Sequence, residues 1–272
     1  MTASAQREES ARPRLPVWQS VKAGYGTSWK NLGALGRAAA LPLVISILLE
    51  GLIPEDSGSA LGMLRIVLSF VLAALFQIVW LRFLLLRSPE TRPGFLNLPG
   101  SGFLPFLGYS LLLLIPYIPA LFFQYAATNY DGPTPVITIA LIIVLYIFAL
   151  YIGVRFGFAF LWIAINAPQR LRASWRATRK NGLRIVIAFG AVAVPLFALF
   201  FAGGVLASMV STDIALQLET GVYETWLFWI MVVFGNAAFY LYYALACTVM
   251  VQAFTILTGW NTSQREILER FE

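Results

Sequence analysis

The chain has 272 residues, of which 59% are hydrophobic and only 12% charged, with a mean hydropathy of +0.77. Soluble domains carry about 25% charged residues, so roughly half the usual solvating surface is missing and a soluble fold is excluded. The net charge of +6 does not imply a nucleic-acid partner, because the basic residues collect in alternate connections between apolar runs.

Residues 1–16 are polar, mixed in charge and broken by proline, the composition of a disordered cytoplasmic arm. No apolar h-region of a secretory signal is expected in the first thirty residues. Trp18, Val21, Tyr25, Trp29 and Leu32 then recur at spacings of three and four, one face of a helix. With Lys22 and Lys30 off that face, the segment is expected to lie on the inner membrane surface. Gly24 and Gly26 weaken it.

Six apolar runs follow, at about 34–53, 61–86, 103–127, 135–165, 183–210 and 225–257. About 20 apolar residues suffice to span a bilayer core. The expected fold is therefore all-α: a polytopic, single membrane domain over 17–260, with six crossings and two basic amphipathic helices on the cytoplasmic face. Prolines 42, 116, 119 and 195 fall inside runs, where each removes a helical hydrogen bond and favours a kink. The fourth run exceeds a straight crossing, so the part after Arg155 is expected to leave the hydrocarbon along the inner interface. Gln169–Gly182 is strongly basic, and residues 261–272 form a charged tail.

Charge orients the runs. The amino-terminal arm, the connections after runs two and four, and the tail hold Arg7, Arg12, Arg14, Lys22, Lys30, Arg37, Arg82, Arg87, Arg92, Arg170, Arg172, Arg176, Arg179, Lys180, Arg184, Arg265 and Arg270. The other connections hold Glu50, Glu55, Asp56, Asp131, Asp213, Glu219 and Glu224, with only Arg65 nearby. Cationic loops stay cytoplasmic, so both termini are expected inside a bacterial inner membrane. Trp226 and Trp229 mark the outer start of run six, and the remaining six tryptophans, Trp80 among them, fall near the inner boundary, where indoles prefer the headgroup level.

The segments Val21–Asn31 and Leu171–Asn181 align without gaps, each before an outward-going run. They are either two copies of one unit or two basic helices alike through shared duty.

Catalytic chemistry is hard to place. There is no histidine, the commonest general base and zinc ligand, and no metal spacing, phosphate loop or nucleophile elbow. The single Cys247 cannot form an intramolecular disulfide. A non-enzymatic protein without cofactors is expected. Arg155 is the main ionisable residue inside a run, a functional candidate by its cost there. It either contacts a lipid phosphate or anionic substrate, together with Arg172, Arg176, Arg179 and Lys180, or anchors its helix by pairing with a carbonyl. Glu50 and Arg65, at matching depth on runs one and two, are expected to form a structural ion pair. Gln77, Gln124 and Asn236 are uncharged polar residues within runs.

The stretch Gly153-Val-Arg-Phe-Gly-Phe-Ala-Phe, followed by the basic segment and a span, resembles six-span bacterial inner-membrane proteins known as the membrane domain of glycerophosphoryl diester phosphodiesterase, and related uncharacterised families. Arg155, Ser174, Trp175, Thr178 and Asn181 occupy the places of that pattern. The likeness is close over some thirty residues. A Pro and an acidic residue expected between the Arg and the basic helix are replaced by Asn166, Ala167 and Pro168. No phosphodiesterase domain accompanies the pattern, so that activity does not carry over. The resemblance implies a role in lipid or envelope homeostasis, with membrane lipids and a membrane-protein complex as partners. The alternative is a transporter or flippase-like carrier of a small or lipidic anion with Arg155 in its path.

Overall fold

The computed structural model describes residues 14–53, 60–86, 93–95, 102–128, 135–167, 171–210 and 225–260. Among these the fold is all-helical, and six helices are long and apolar enough to cross a membrane: Leu32–Leu52, Ala60–Leu86, Phe103–Ala127, Val136–Ala164, Gly182–Leu199 and Trp229–Thr258. The chain is a multi-pass membrane protein. Most of the arm, most of the acidic connections and the tail lie outside the described residues.

In chain order the helices are α1 (Val17–Lys30), α2 (Leu32–Leu52), α3 (Ala60–Leu86), α4 (Phe103–Leu112), α5 (Ile118–Thr128), α6 (Val136–Phe156), α7 (Phe158–Ala164), α8 (Leu171–Ala177), α9 (Gly182–Val210) and α10 (Thr225–Thr258). The last of them, α10, is the central post, packed against α1, α2, α3, α7 and α9. In hydrocarbon, helices associate through close packing and interhelical hydrogen bonds, and α10 uses both. Ser46 and Tyr240 share a hydrogen bond at 2.8 Å, Ser28 and Thr248 one at 3.2 Å, and the Trp80 indole donates to the Ala244 carbonyl at 3.1 Å. Trp80 is thus no interfacial anchor but a fully buried core residue.

The expected surface helix α1 departs from its sequence pattern. Its protein-facing residues are Ser20, Val21, Gly24 and Ser28, while Trp18 and Trp29 stay 73% and 76% exposed. Ser20, Gly24 and Ser28 form a small-residue row at four-residue spacing that seats α1 on α10. A Cβ on Gly24 would lie 3.0 Å from the Val249 methyl. The large side chains of the sequence stripe are divided between protein and surroundings, with Val21 and Tyr25 turned inward.

The third and fourth spans stand apart. Only 11% and 6% of their most apolar windows are buried, against 33% and 39% for the first two, so these two spans meet the bilayer over most of their surface. The third is interrupted: α4 ends at Leu112, and a short 3-10 turn, Ile115–Tyr117, precedes α5. Pro116 and Pro119 cannot donate the hydrogen bonds that would continue α4. Pro42 and Pro195, by contrast, sit inside unbroken helices.

The fourth run is also not one helix. The regular helix is interrupted at Gly157, and α7 is packed in the core, with Phe158, Ala159, Leu161 and Ala164 fully buried against α3, α4 and α10. The segment after Arg155, expected along the interface, is thus covered by other helices of the chain. Its apolar side chains find protein rather than headgroups, because Gly157 leaves room for Met250, whose Cε would be 2.5 Å from an added Cβ.

The two aligned segments share their last turn: the Asn31 and Asn181 carbonyls accept from Leu35 and Ile185 at 2.9 and 3.0 Å, opening α2 and α9. Before that they differ, since α1 has 14 residues and α8 only 7.

Gly24→Leu overpacks the α1–α10 contact and is expected to cost about 1–3 kcal/mol, read as a lower thermal midpoint in detergent. Gly26→Leu, two residues away with open space around it, is expected to leave the midpoint unchanged or raised.

Candidate functional site: the Arg155 knot and an intramembrane cavity

Arg155 lies in the last turn of α6 and is 4% exposed. Its Nη1 donates to the Thr178 carbonyl at 3.2 Å and its Nη2 to the Trp175 carbonyl at 3.1 Å. These carbonyls belong to the end of α8 and the turn after it, where helix-end acceptors carry partial negative charge; the Thr178 carbonyl also accepts from the Asn181 N–H at 3.0 Å. The guanidinium carbon sits 3.8 Å from the Trp175 ring centroid, a cation–π arrangement. The contact is reciprocal: the Arg155 carbonyl accepts from Ser174 Oγ at 2.8 Å and Thr178 Oγ1 at 3.2 Å.

The residues of the sequence pattern therefore meet in one knot. Ser174 and Thr178 are fully buried and Asn181 is 3% exposed. Asn181 Oδ1 accepts from the Leu15 backbone at 2.9 Å, and Arg184 Nη1 donates to the Leu15 carbonyl at 3.0 Å. The knot thus also fastens the chain entering α1. Gly182 makes the approach possible, since an added Cβ would fall 2.9 Å from Arg155 Cδ and 3.0 Å from the Tyr151 ring.

Of the five candidate anion contacts, Arg155 is turned into the protein. Arg172, Arg176, Arg179 and Lys180 are exposed along α8 and its turn, and Lys180 adopts φ 71° there. Glu50 and Arg65 do not form the expected pair: Glu50 accepts from Asn236 Nδ2, while Arg65 Nη1 donates to the Ile53 carbonyl at 3.2 Å. Gln124 accepts from Tyr146 across the α5–α6 hairpin. No grouping of His, Cys, Asp or Glu suited to a metal occurs among the described residues.

A second feature was not legible in the sequence. Between α10, α3, α6 and the broken third span lies a cavity of about 340 Å³, bounded in part by Phe70, Leu113, Leu114 and Leu150. Both helix breaks border it, Gly157 on one wall and the Leu113–Tyr117 turn on another. Gly153 and Val154 line it, but Arg155, the next residue, points away into its knot. The signal that could have found it was the coincidence of Gln77, Tyr117 and the pair Tyr242–Tyr243 in otherwise apolar runs.

Arg155→Lys keeps the charge but cannot chelate two carbonyls in a plane, and a loss of about 1–3 kcal/mol is expected. Ser174→Ala, which removes one hydrogen bond, is expected to lose about 1 kcal/mol. Thermal unfolding in detergent ranks the two, and an Arg155→Lys midpoint equal to wild type would remove the knot from the stability of the fold.

No family model, curated protein or solved structure matches this chain.

Proposed function

We propose that this chain is a non-enzymatic integral protein of the bacterial inner membrane that acts through lipids, as an envelope or lipid homeostasis factor or as the membrane subunit of a complex. The observation that carries this reading is the cavity among the spans, whose lining among the described residues includes no Asp, Glu, Lys or Arg. A site for an anion in hydrocarbon needs a countercharge. Arg155, the residue an anion carrier would place in its path, has both terminal nitrogens committed to carbonyls. That favours lipid association over the carrier alternative.

Two further features support it. The third and fourth spans offer broad apolar faces to surrounding lipid, and the basic side chains of α8 are exposed beside Trp175, a combination that suits an anionic headgroup layer. The family resemblance of the Arg155 pattern points the same way. In the orientation we propose, α1, α8 and both termini face the cytoplasm, with anionic lipids there as partners.

Orientation is tested by single-cysteine labelling in a Cys247→Ala background. Asp131→Cys should react with an impermeant thiol reagent in intact cells, and Lys22→Cys only after permeabilisation; the reverse pattern would invert the topology. Function is tested by native mass spectrometry after mild-detergent purification, in which membrane lipid should remain bound. Lipid-free protein that supports anion flux in proteoliposomes above empty vesicles would turn the reading to the carrier.

A further inference from the structure

Several polar side chains in the interior of this bundle find partners. Ser46 bonds Tyr240, Ser28 bonds Thr248, Trp80 bonds Ala244, and Ser110 donates back to the Phe106 carbonyl. Three fully buried nitrogens lack a partner among the described residues, Arg155 Nε and the indole nitrogens of Trp162 and Trp260, and none of these residues lines the cavity. A different group does converge on it: the half-buried Gln77 carboxamide and the hydroxyls of Tyr117, Tyr242 and Tyr243. None of them has a hydrogen-bond partner among the described residues, and all four line the same cavity. An amide or hydroxyl facing an otherwise apolar space gains from a polar partner there, so the convergence of four such groups suits the space to polar atoms from outside the protein.

The dimensions and chemistry narrow the occupant. About 340 Å³ falls within the range of small-molecule pockets, about 300–1,000 Å³. The rest of the wall is almost wholly apolar, and Leu114, part of it, is 44% exposed on the side of the third span. With no charged side chain in the lining among the described residues, a charged head has no countercharge shown there. Gln77 can donate and accept, and the phenols can do either, which suits hydroxyl, ester or amide groups.

We propose that this cavity binds a neutral amphiphile, with its uncharged hydrogen-bonding head against Gln77, Tyr117, Tyr242 and Tyr243 and its hydrocarbon chain along Leu113 and Leu114. The assignment rests on the lipid-association reading and names the ligand class and the site. The ligand enters sideways from the bilayer, past the break in the third span, where α4 and α5 are not continuous.

Photoactivatable diacylglycerol and photoactivatable phosphatidic acid with the same chain, each in phosphatidylcholine vesicles holding the full-length protein, separate the possibilities. The diacylglycerol probe should label peptides spanning 110–117 or 242–250, and the phosphatidic acid probe should not. Gln77→Leu, and the gentler double substitution Tyr117→Phe with Tyr242→Phe, should each lower that labelling about tenfold, the effect of losing roughly one to two hydrogen bonds. Thermal midpoints near wild type certify that the variants are folded. Labelling undiminished in both variants, or stronger labelling by phosphatidic acid, would overturn the assignment. Absence of probe labelling while native lipid still co-purifies would refute this site and leave lipid association standing. If no lipid co-purifies either, both readings fall together.

Discussion

A cation and a frayed helix end, each unfavourable alone inside a membrane protein, neutralise one another in this fold. The Arg155 guanidinium donates to carbonyls at the end of α8 and in the turn after it, and the Ser174 and Thr178 hydroxyls return bonds to the Arg155 carbonyl. Because desolvated charge must be matched by nearby acceptors, this exchange dictates local geometry around it. The fourth span has to end where Arg155 meets α8, Gly182 has to lack a side chain, and Asn181 is held where it can grip Leu15. Three distant stretches of chain meet in this knot, through Arg155, Asn181 and Arg184.

Hydropathy located the six spans because length and composition suffice for that, and the pattern Arg155, Ser174, Trp175, Thr178, Asn181 marked the knot before its geometry was known. Faces were harder to read. On α1 the large apolar residues suggested a membrane-facing stripe, yet docking selected Ser20, Gly24 and Ser28. In water the biggest side chains drive contact; in lipid they gain little by leaving it, and close backbone approach decides instead. The same reasoning explains Trp80, expected at a boundary and found in the core with its N–H on Ala244. That the fourth run exceeds a single crossing was legible in its length, but the burial of its end depends on a gap at Gly157 that only the packing of Met250 reveals.

Glu50 and Arg65 illustrate a further limit. Matching depth on adjacent helices brings two charges to the same level but does not orient them. Asn236 on α10 and the Ile53 carbonyl at the end of α2 are nearer acceptable partners. Exposed ion pairs contribute little in any case, so nothing forces the pairing. The cavity escaped sequence reading for a related reason: its four polar groups come from α3, the 3-10 turn and α10, and only the tertiary arrangement gathers them. The proline-broken third span belongs to its wall, so a feature that looked like a generic kink separates lipid from the interior.

The seat of α1 on α10 has a bearing on biogenesis. The groove that receives Ser20, Gly24 and Ser28 is made by residues near Leu245 and Val249, more than two hundred positions later in the chain. During synthesis the opening helix emerges with its resting place still untranslated. Until the final span has been made, that helix lacks the surface against which its row of small residues packs.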